Sequence, residues 1–259
     1  MMVSQFFYEI DESQISKETG DFDIISYLRG ISDLSSLCVG GTLVIDFKER
    51  CLLLVSNRNI FLCGASYEDA KRLGYDFFSE IVYEEDISLL IQIHRAILNS
   101  PYIVEKEIQS RIEYFYFTLR MKNYFQLHER QHYLMICYRM KPIFIDTKIR
   151  YGICRLTISG ERNSGNLGVY FNDTEKFDKY SLPSRRWETQ EGLNLDERDK
   201  MILRLAKQGL DQQQIAGELC ISYQRIRHVI PELYKKLGVD SMEQAVVVAS
   251  NHLKLFDNR

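Results

Sequence analysis

Residues 211–236 read DQQQIAGELCISYQRIRHVIPELYKK, and two helical patterns meet in them across a short corner. In the first, Ile215, Ala216 and Leu219 are apolar at positions i, i+1 and i+4. In the second, Ile226, Ile230, Leu233 and Leu237 recur at spacings of four, three and four. Both follow the helical period, so each helix buries one face. Asp211 and Gln214 form a start signal, an N-cap side chain with a reciprocating amide three residues on. Ser222 is the natural N-cap of the second helix. Cys220-Ile221 leaves room only for a sharp corner, so the pair has the helix-turn-helix arrangement, whose second helix enters the DNA major groove.

The flanks extend the pattern. Upstream, Asp196 caps a helix with Ile202, Leu203, Leu205 and Ala206 on its apolar face, closed by Gly209. Downstream, Ser241 and Gln244 form a capping box for a fourth helix over 242–253. Four helices in about 60 residues resemble the LuxR/NarL/GerE type of DNA-binding domain. The resemblance rests on Leu195, Arg198, Asp199, Gly209-Leu210, Ile215-Ala216, Leu219, Ile221-Ser222, Lys236-Leu237-Gly238-Val239 and Ala245-Val246, in register without a gap. The chain departs from that family in the second helix of the pair. Arg225-Ile226-Arg227-His228-Val229 stands where Thr-Val-Lys-x-His is usual, and Glu232 stands where Asn is usual. Pro231 falls in mid-helix, where it removes one backbone hydrogen bond and crowds the Arg227 carbonyl. The helix is expected to bend there yet continue, because Leu233 and Leu237 are needed to close the core.

On a helix beginning at Tyr223, positions 224, 227, 228 and 231 share a face opposite Ile226, Ile230 and Leu233. Gln224, Arg227 and His228 are therefore expected at base edges, and the Pro231 ring beside them. Arg225, Lys235 and Lys236 are expected at phosphates. The fourth helix carries Val246, Val247 and Val248 in a row, so it is apolar on more than one side. One side must cover Ile202 and Leu205. Val246, Val247 and Ser250 are free to meet a two-fold mate, as the resemblance implies. The expected partners are double-stranded DNA and a second copy of the chain, paired through this helix, the front domain or both.

Bulk charge offers little help. The 259 residues carry a net charge of −3, and from residue 193 onward five Lys and five Arg face five Asp and four Glu. That is weak for a DNA binder, although Arg225, Arg227, Lys235 and Lys236 share one helix with only Glu232 opposing. These features keep open a second class of function: a protein-interaction module with a degenerate helix-turn-helix, motivated by Pro231, Val229, Glu232 and the feeble charge. The six cysteines form no C-x-x-C pair and read as buried reduced thiols rather than a metal site. MMVSQFFYEIDE lacks a basic start and a long apolar core, so no signal peptide is expected. No run approaches the ~20 apolar residues of a membrane span, and a cytoplasmic protein is expected.

The front of the chain is strand-rich. Phe22, Ile25, Leu28, Ile31 and Leu34 mark a helix over 21–37, packed on its own domain or also on a second subunit. Thr42–Phe47 and Cys51–Val55 flank the polar turn Lys48-Glu49-Arg50 as a hairpin. A short helix over 66–73 ends at Gly74, and a longer one over 84–99 carries Ile87, Leu90, Ile91, His94 and Leu98. Phe115, Phe117, Leu119 and Met121 alternate with Tyr116, Thr118, Arg120 and Lys122, a strand with one buried face. Tyr133–Met140 and Tyr151–Ile158 follow, with Leu134, Ile136, Tyr138, Cys154, Leu156 and Ile158 inward. The order resembles a PAS domain over 24–158, with YDFFSEIVYEED at 75–86 placed like the segment before that family's long helix. A GAF-like or other α+β sensor fold is the alternative.

Residues 161–192, rich in Gly and polar side chains around Trp187 and Pro183, read as a linker with room for one hairpin and a strand near 167–171. The expected organisation is a PAS-like sensor or dimerisation domain over 1–160, a linker over 161–192 and an all-α four-helix domain over 193–259, an α+β protein. No catalytic signature is present in the front domain, so no catalytic residue and no enzyme is expected. NRNIFLC at 57–63 does not match the flavin motif of light-sensing PAS domains. His94 stands where haem-binding PAS domains place an axial ligand, but on an apolar stripe it reads as a core residue. No metal or cofactor is called for. A small-molecule pocket between the helices and the inner sheet face stands beside a solid core as an equal reading.

Overall fold

The computed structural model describes residues 24–56, 59–122, 133–145, 147–174, 176–191 and 195–252. They divide into two compact units. The first holds the residues before Ser159 together with Asn163–Gln190; the second holds Ser159–Arg162 and the residues from Glu191 on.

The first unit opens with α1 (Ile24–Leu37). Phe22, expected on its stripe, lies outside the described residues, as does the 1–12 segment read for a signal peptide. The hairpin β1 (Gly41–Asp46) and β2 (Cys51–Val55) forms where expected. Its turn is held by the Asp46 carboxylate, which accepts the amides of Lys48 and Glu49 at 2.9 Å each. Short helices follow: α2 (Asn59–Leu62), α3 (Tyr67–Leu73), α4 (Phe77–Ile81), α5 (Ile87–Leu98) and α6 (Lys106–Arg111). Ser66 caps α3 through a capping box. Then come β3 (Ile112–Lys122), β4 (Tyr133–Ile145), β5 (Lys148–Ile158), β6 (Gly165–Phe171), β7 (Phe177–Ser181) and β8 (Arg186–Gln190).

All pairings are antiparallel in one eight-stranded sheet, ordered β2-β1-β5-β4-β3-β6-β7-β8. Leu43, Ile45, Phe115, Phe117, Leu119, Ile136, Tyr138, Cys154 and Leu156 are buried in one core with Leu90, Ile93 and Ile97 of α5. The apolar side of α5 is wider than its sequence stripe, since Ile93, Ala96 and Ile97 are buried as well. The helix also starts later than expected: Glu84–Asp86 form a 3-10 turn, with the buried Asp86 accepting the Arg120 amide at 2.8 Å.

Three expectations need correction. The strand expected near 167–171 forms as β6 and the hairpin as β7–β8, but they extend the sheet beyond β3 within the first unit and do not make a linker. Aromatic packing holds them there: Trp187 meets Tyr102 at 5.3 Å and Tyr180 at 5.0 Å, and Tyr102 donates to Asp178 at 2.6 Å. β3 is buried on both faces in its middle, since Tyr116 packs edge-on to Tyr170 and the Thr118 hydroxyl donates to the Asn163 carbonyl at 2.9 Å. Ile158, at the end of β5, is 50% exposed rather than inward.

The described residues of the second unit form four helices: α7 (Glu197–Lys207), α8 (Gln212–Glu218), α9 (Tyr223–Leu237) and α10 (Met242–His252). Residue 253, expected in the last helix, lies outside the described residues. Ile202, Leu203, Ile215, Ala216, Ile226, Ile230, Leu233, Ala245 and Val248 make their common core. The cysteines are not uniformly buried: Cys137 and Cys154 are enclosed, whereas Cys38 and Cys220 are exposed. Cys38 ends up exposed just past α1, and Cys220 sits at a turn where no element can cover it.

Candidate nucleic-acid interface

Local hydrogen bonding fixes the α8–α9 pair. The Asp211 carboxylate accepts the amides of Gln213 and Gln214, and the Gln214 side chain accepts the Asp211 amide at 2.9 Å, closing the predicted box. The Ser222 hydroxyl accepts the Arg225 amide at 3.2 Å and starts α9. Helices α7, α8 and α9 all end alike, with a left-handed residue and an amide reaching back five positions: Leu210 to Leu205, Ile221 to Ala216, Val239 to Tyr234. The left-handed residues are Gly209, Cys220 and Gly238; at Cys220, φ is 53° with a side chain present. The corner between the paired helices therefore stores a small strain that glycine would avoid.

Helix α9 runs unbroken through Pro231, and its buried stripe survives on both sides. Gln224, Arg225, Arg227, His228, Pro231, Glu232 and Lys235 are exposed, whereas Ile226, Val229, Ile230, Leu233 and Leu237 are buried. Val229, one of the departures that motivate the protein-interaction reading, belongs to the core. Among the described residues, no ion pair engages Arg225 or Arg227. The ammonium of Lys235 lies 3.0 Å from the Glu232 carboxylate, an exposed pair that leaves it accessible.

Lys236 is placed differently from the expectation. Its ammonium sits on the Asp199 carboxylate near the start of α7, and that carboxylate is only 2% exposed and also accepts the Asp196 amide. A lysine committed to a buried carboxylate inside its own domain is a poor phosphate anchor. On α10, Ala245, Val248 and Ala249 face the core, Val246 and Val247 are half-buried, and Ser250 is exposed with its hydroxyl donating to the Val246 carbonyl at 2.8 Å. The Gln244 side chain accepts the Asp240 amide rather than that of Ser241, one residue earlier than the box predicted.

One exposed residue escaped the sequence reading. Tyr223 stands three positions before Ile226, so spacing alone assigns it to the buried stripe, yet it is 48% exposed. Its place immediately after the capping Ser222, ahead of the first packed turn, is the signal that distinguishes it.

In the first unit, His94 is enclosed by the rings of Phe47, Phe78 and Phe117 at 5.8, 6.0 and 6.2 Å. Burial pulls its pKa down to about 4. Tyr138 and Phe117 stack at 4.9 Å in the same interior. No cluster of three or more His, Cys, Asp or Glu able to hold a metal ion occurs among the described residues, and none of their helices is long and apolar enough to cross a membrane.

Residues 193–249 match the family of bacterial regulatory proteins, luxR family (GerE). This segment is a luxR-family helix-turn-helix domain, a regulatory rather than an enzymatic family. No curated protein matches the chain. Solved structures similar to it include the Vibrio cholerae VqmA dimer in the absence of target DNA, 18% identical over 88% of each chain with a TM-score of 0.33. The phage VqmA–DPO complex is 12% identical over 89% of each chain, with a TM-score of 0.31. Likeness at that level carries no inference about the present chain.

Proposed function

We propose that this chain is a transcriptional regulator that binds a two-fold symmetric double-stranded DNA site, with α9 in the major groove. The observation that carries this reading is the exposed face of α9. Gln224, Arg227, His228 and Lys235 lie opposite an intact buried stripe, on the second helix of a luxR-family pair. Gln224, Arg227 and His228 read base edges, beside the Pro231 ring; Arg225 and Lys235 hold phosphates. The half-exposed Val246 and Val247, with Ser250, form the two-fold contact of the DNA-bound dimer. The first unit, with its β2-β1-β5-β4-β3 order and helices between β2 and β3, serves as a PAS-like module that senses a signal or pairs two copies. A small molecule in its interior is one form that signal can take. The protein works in the cytoplasm.

Gel shift of the full chain against genomic fragments, over a series of salt concentrations, tests the reading. Fragment-selective binding that weakens with salt supports it. Failure to retain any duplex at low salt removes it.

A further inference from the structure

We infer that Tyr223 is a sequence-independent anchor on the DNA backbone, its phenol hydroxyl donating to a phosphate oxygen at the edge of the groove that α9 enters. The inference rests on the DNA-binding reading above and adds to it a contact of a different chemical kind. At about 100° per residue, Gln224, His228 and Pro231 fall within about 60° of one another, which makes them the outward crest of the helix; Lys235 shares that line but lies about 16 Å beyond Gln224 along the axis, past the stretch that meets base edges. By the same geometry Tyr223 lies about 100° from Gln224 and about 20° from the buried Ile230. It therefore occupies a flank of α9 and not its crest. Arg225 occupies the other flank. When a helix lies in the major groove its crest meets base edges and its flanks meet the walls, which are phosphates.

Direction supports the same assignment. Helical side chains tilt towards the N-terminus of the helix. Tyr223 is the first helical residue, so no earlier turn of α9 lies beneath its ring. Cys220, three residues earlier in the chain, is exposed as well. Tyr223, 48% exposed, and Met201, 40% exposed, are the large apolar side chains that the described residues of this domain leave open, and the Tyr223 ring is available to a partner. Tyrosine suits a phosphate because its hydroxyl donates without bringing a charge, and a donor to a charged oxygen is among the stronger hydrogen bonds.

The test compares full-length wild type with Tyr223→Phe, which keeps the ring and removes only the hydroxyl. Lys235→Ala is the reference for a charged phosphate contact. Each is titrated against a selected site, a shuffled duplex and a set of single-base variants, at several salt concentrations. Tyr223→Phe is expected to bind every duplex about tenfold more weakly, with the ranking of sequences unchanged. Its slope of log affinity against log salt is expected to match wild type, because a neutral donor displaces no counterion, whereas Lys235→Ala flattens the slope. Thermal melting is expected to be unaltered. Wild-type affinity in Tyr223→Phe overturns the inference, and so does a changed ranking of base variants, which would place the ring at a base. A wild-type chain that binds no duplex defeats the DNA-binding reading itself, and with it this inference.

Discussion

Lys236, in the last turn of α9, sets its ammonium on the carboxylate of Asp199 at the start of α7, so one ion pair ties the end of α9 to the beginning of α7. Removing the lysine leaves a nearly fully buried carboxylate without its cation. Lys236→Ala is therefore expected to destabilise the C-terminal unit by about 3 kcal/mol, the low end for a broken buried pair because the lysine itself is partly exposed. Urea denaturation measures this. The salt dependence of DNA binding should stay as in wild type, and a flattened slope would return Lys236 to the phosphates.

Arg227→Ala is expected to act on selectivity. A guanidinium that takes a guanine through two hydrogen bonds is worth about 1–3 kcal/mol of discrimination. Selection from a random duplex library should give a motif that has lost preference at one position in each half-site, with melting unchanged.

Cys220 adopts a left-handed backbone with φ of 53°. Cys220→Gly is expected to raise the stability of the C-terminal unit by about 1 kcal/mol, and Cys220→Val to lower it by at least as much. Differential scanning calorimetry of the two variants provides the check; equal melting temperatures would show that the corner carries no strain.

Pro231 is exposed and sits inside a continuous helix. A proline in a helix interior costs about 3 kcal/mol relative to alanine. Pro231→Ala should therefore melt higher than wild type, with an upper bound near that figure. A lower melting temperature would mean that the ring makes contacts the domain needs.

The N-terminal unit should be acid-sensitive through His94. An ordinary imidazole titrates near 6.5, and burial pulls this one down to about 4. Between those values the unfolded chain binds a proton that the folded chain refuses. The stabilisation is complete above about pH 6.5 and is lost as pH falls towards 4, on the order of 3 kcal/mol at the limit. Carboxylates contribute to any acid transition, so the measurement is the difference between wild type and His94→Phe in urea midpoint from pH 7 to 4.5. Parallel curves would sink the assignment.

The C-terminal helices were legible because their ends are written in side chains. Asp196, Asp211 and Ser222 cap as their positions foretell, and the period of Ile226, Ile230 and Leu233 survives a proline. Val229 is buried, which the sequence leaves open because a β-branched residue between stripe positions carries no mark of which way it faces. β7 and β8 form the one hairpin for which the reading of 161–192 leaves room, but their bounds are not written in the sequence. Their residues are half-buried or exposed, so no alternation of apolar and polar side chains marks them. What holds them is contact between distant residues, Tyr102 with Trp187 above all. Tyr116 and Thr118 follow the alternation outward, but are enclosed because Tyr170 and Asn163 return to their side of the sheet. Lys236 looked like one more basic residue on a basic helix; only the fold brings Asp199 to it.

Pro231 has one more consequence. It brings no amide hydrogen, so the main-chain oxygen one turn earlier, that of Arg227, lacks its usual helical donor. Part of what this surface offers a partner is thus backbone, fixed by the position of a proline. A scan that truncates side chains one at a time would not register it at residue 227, only at 231.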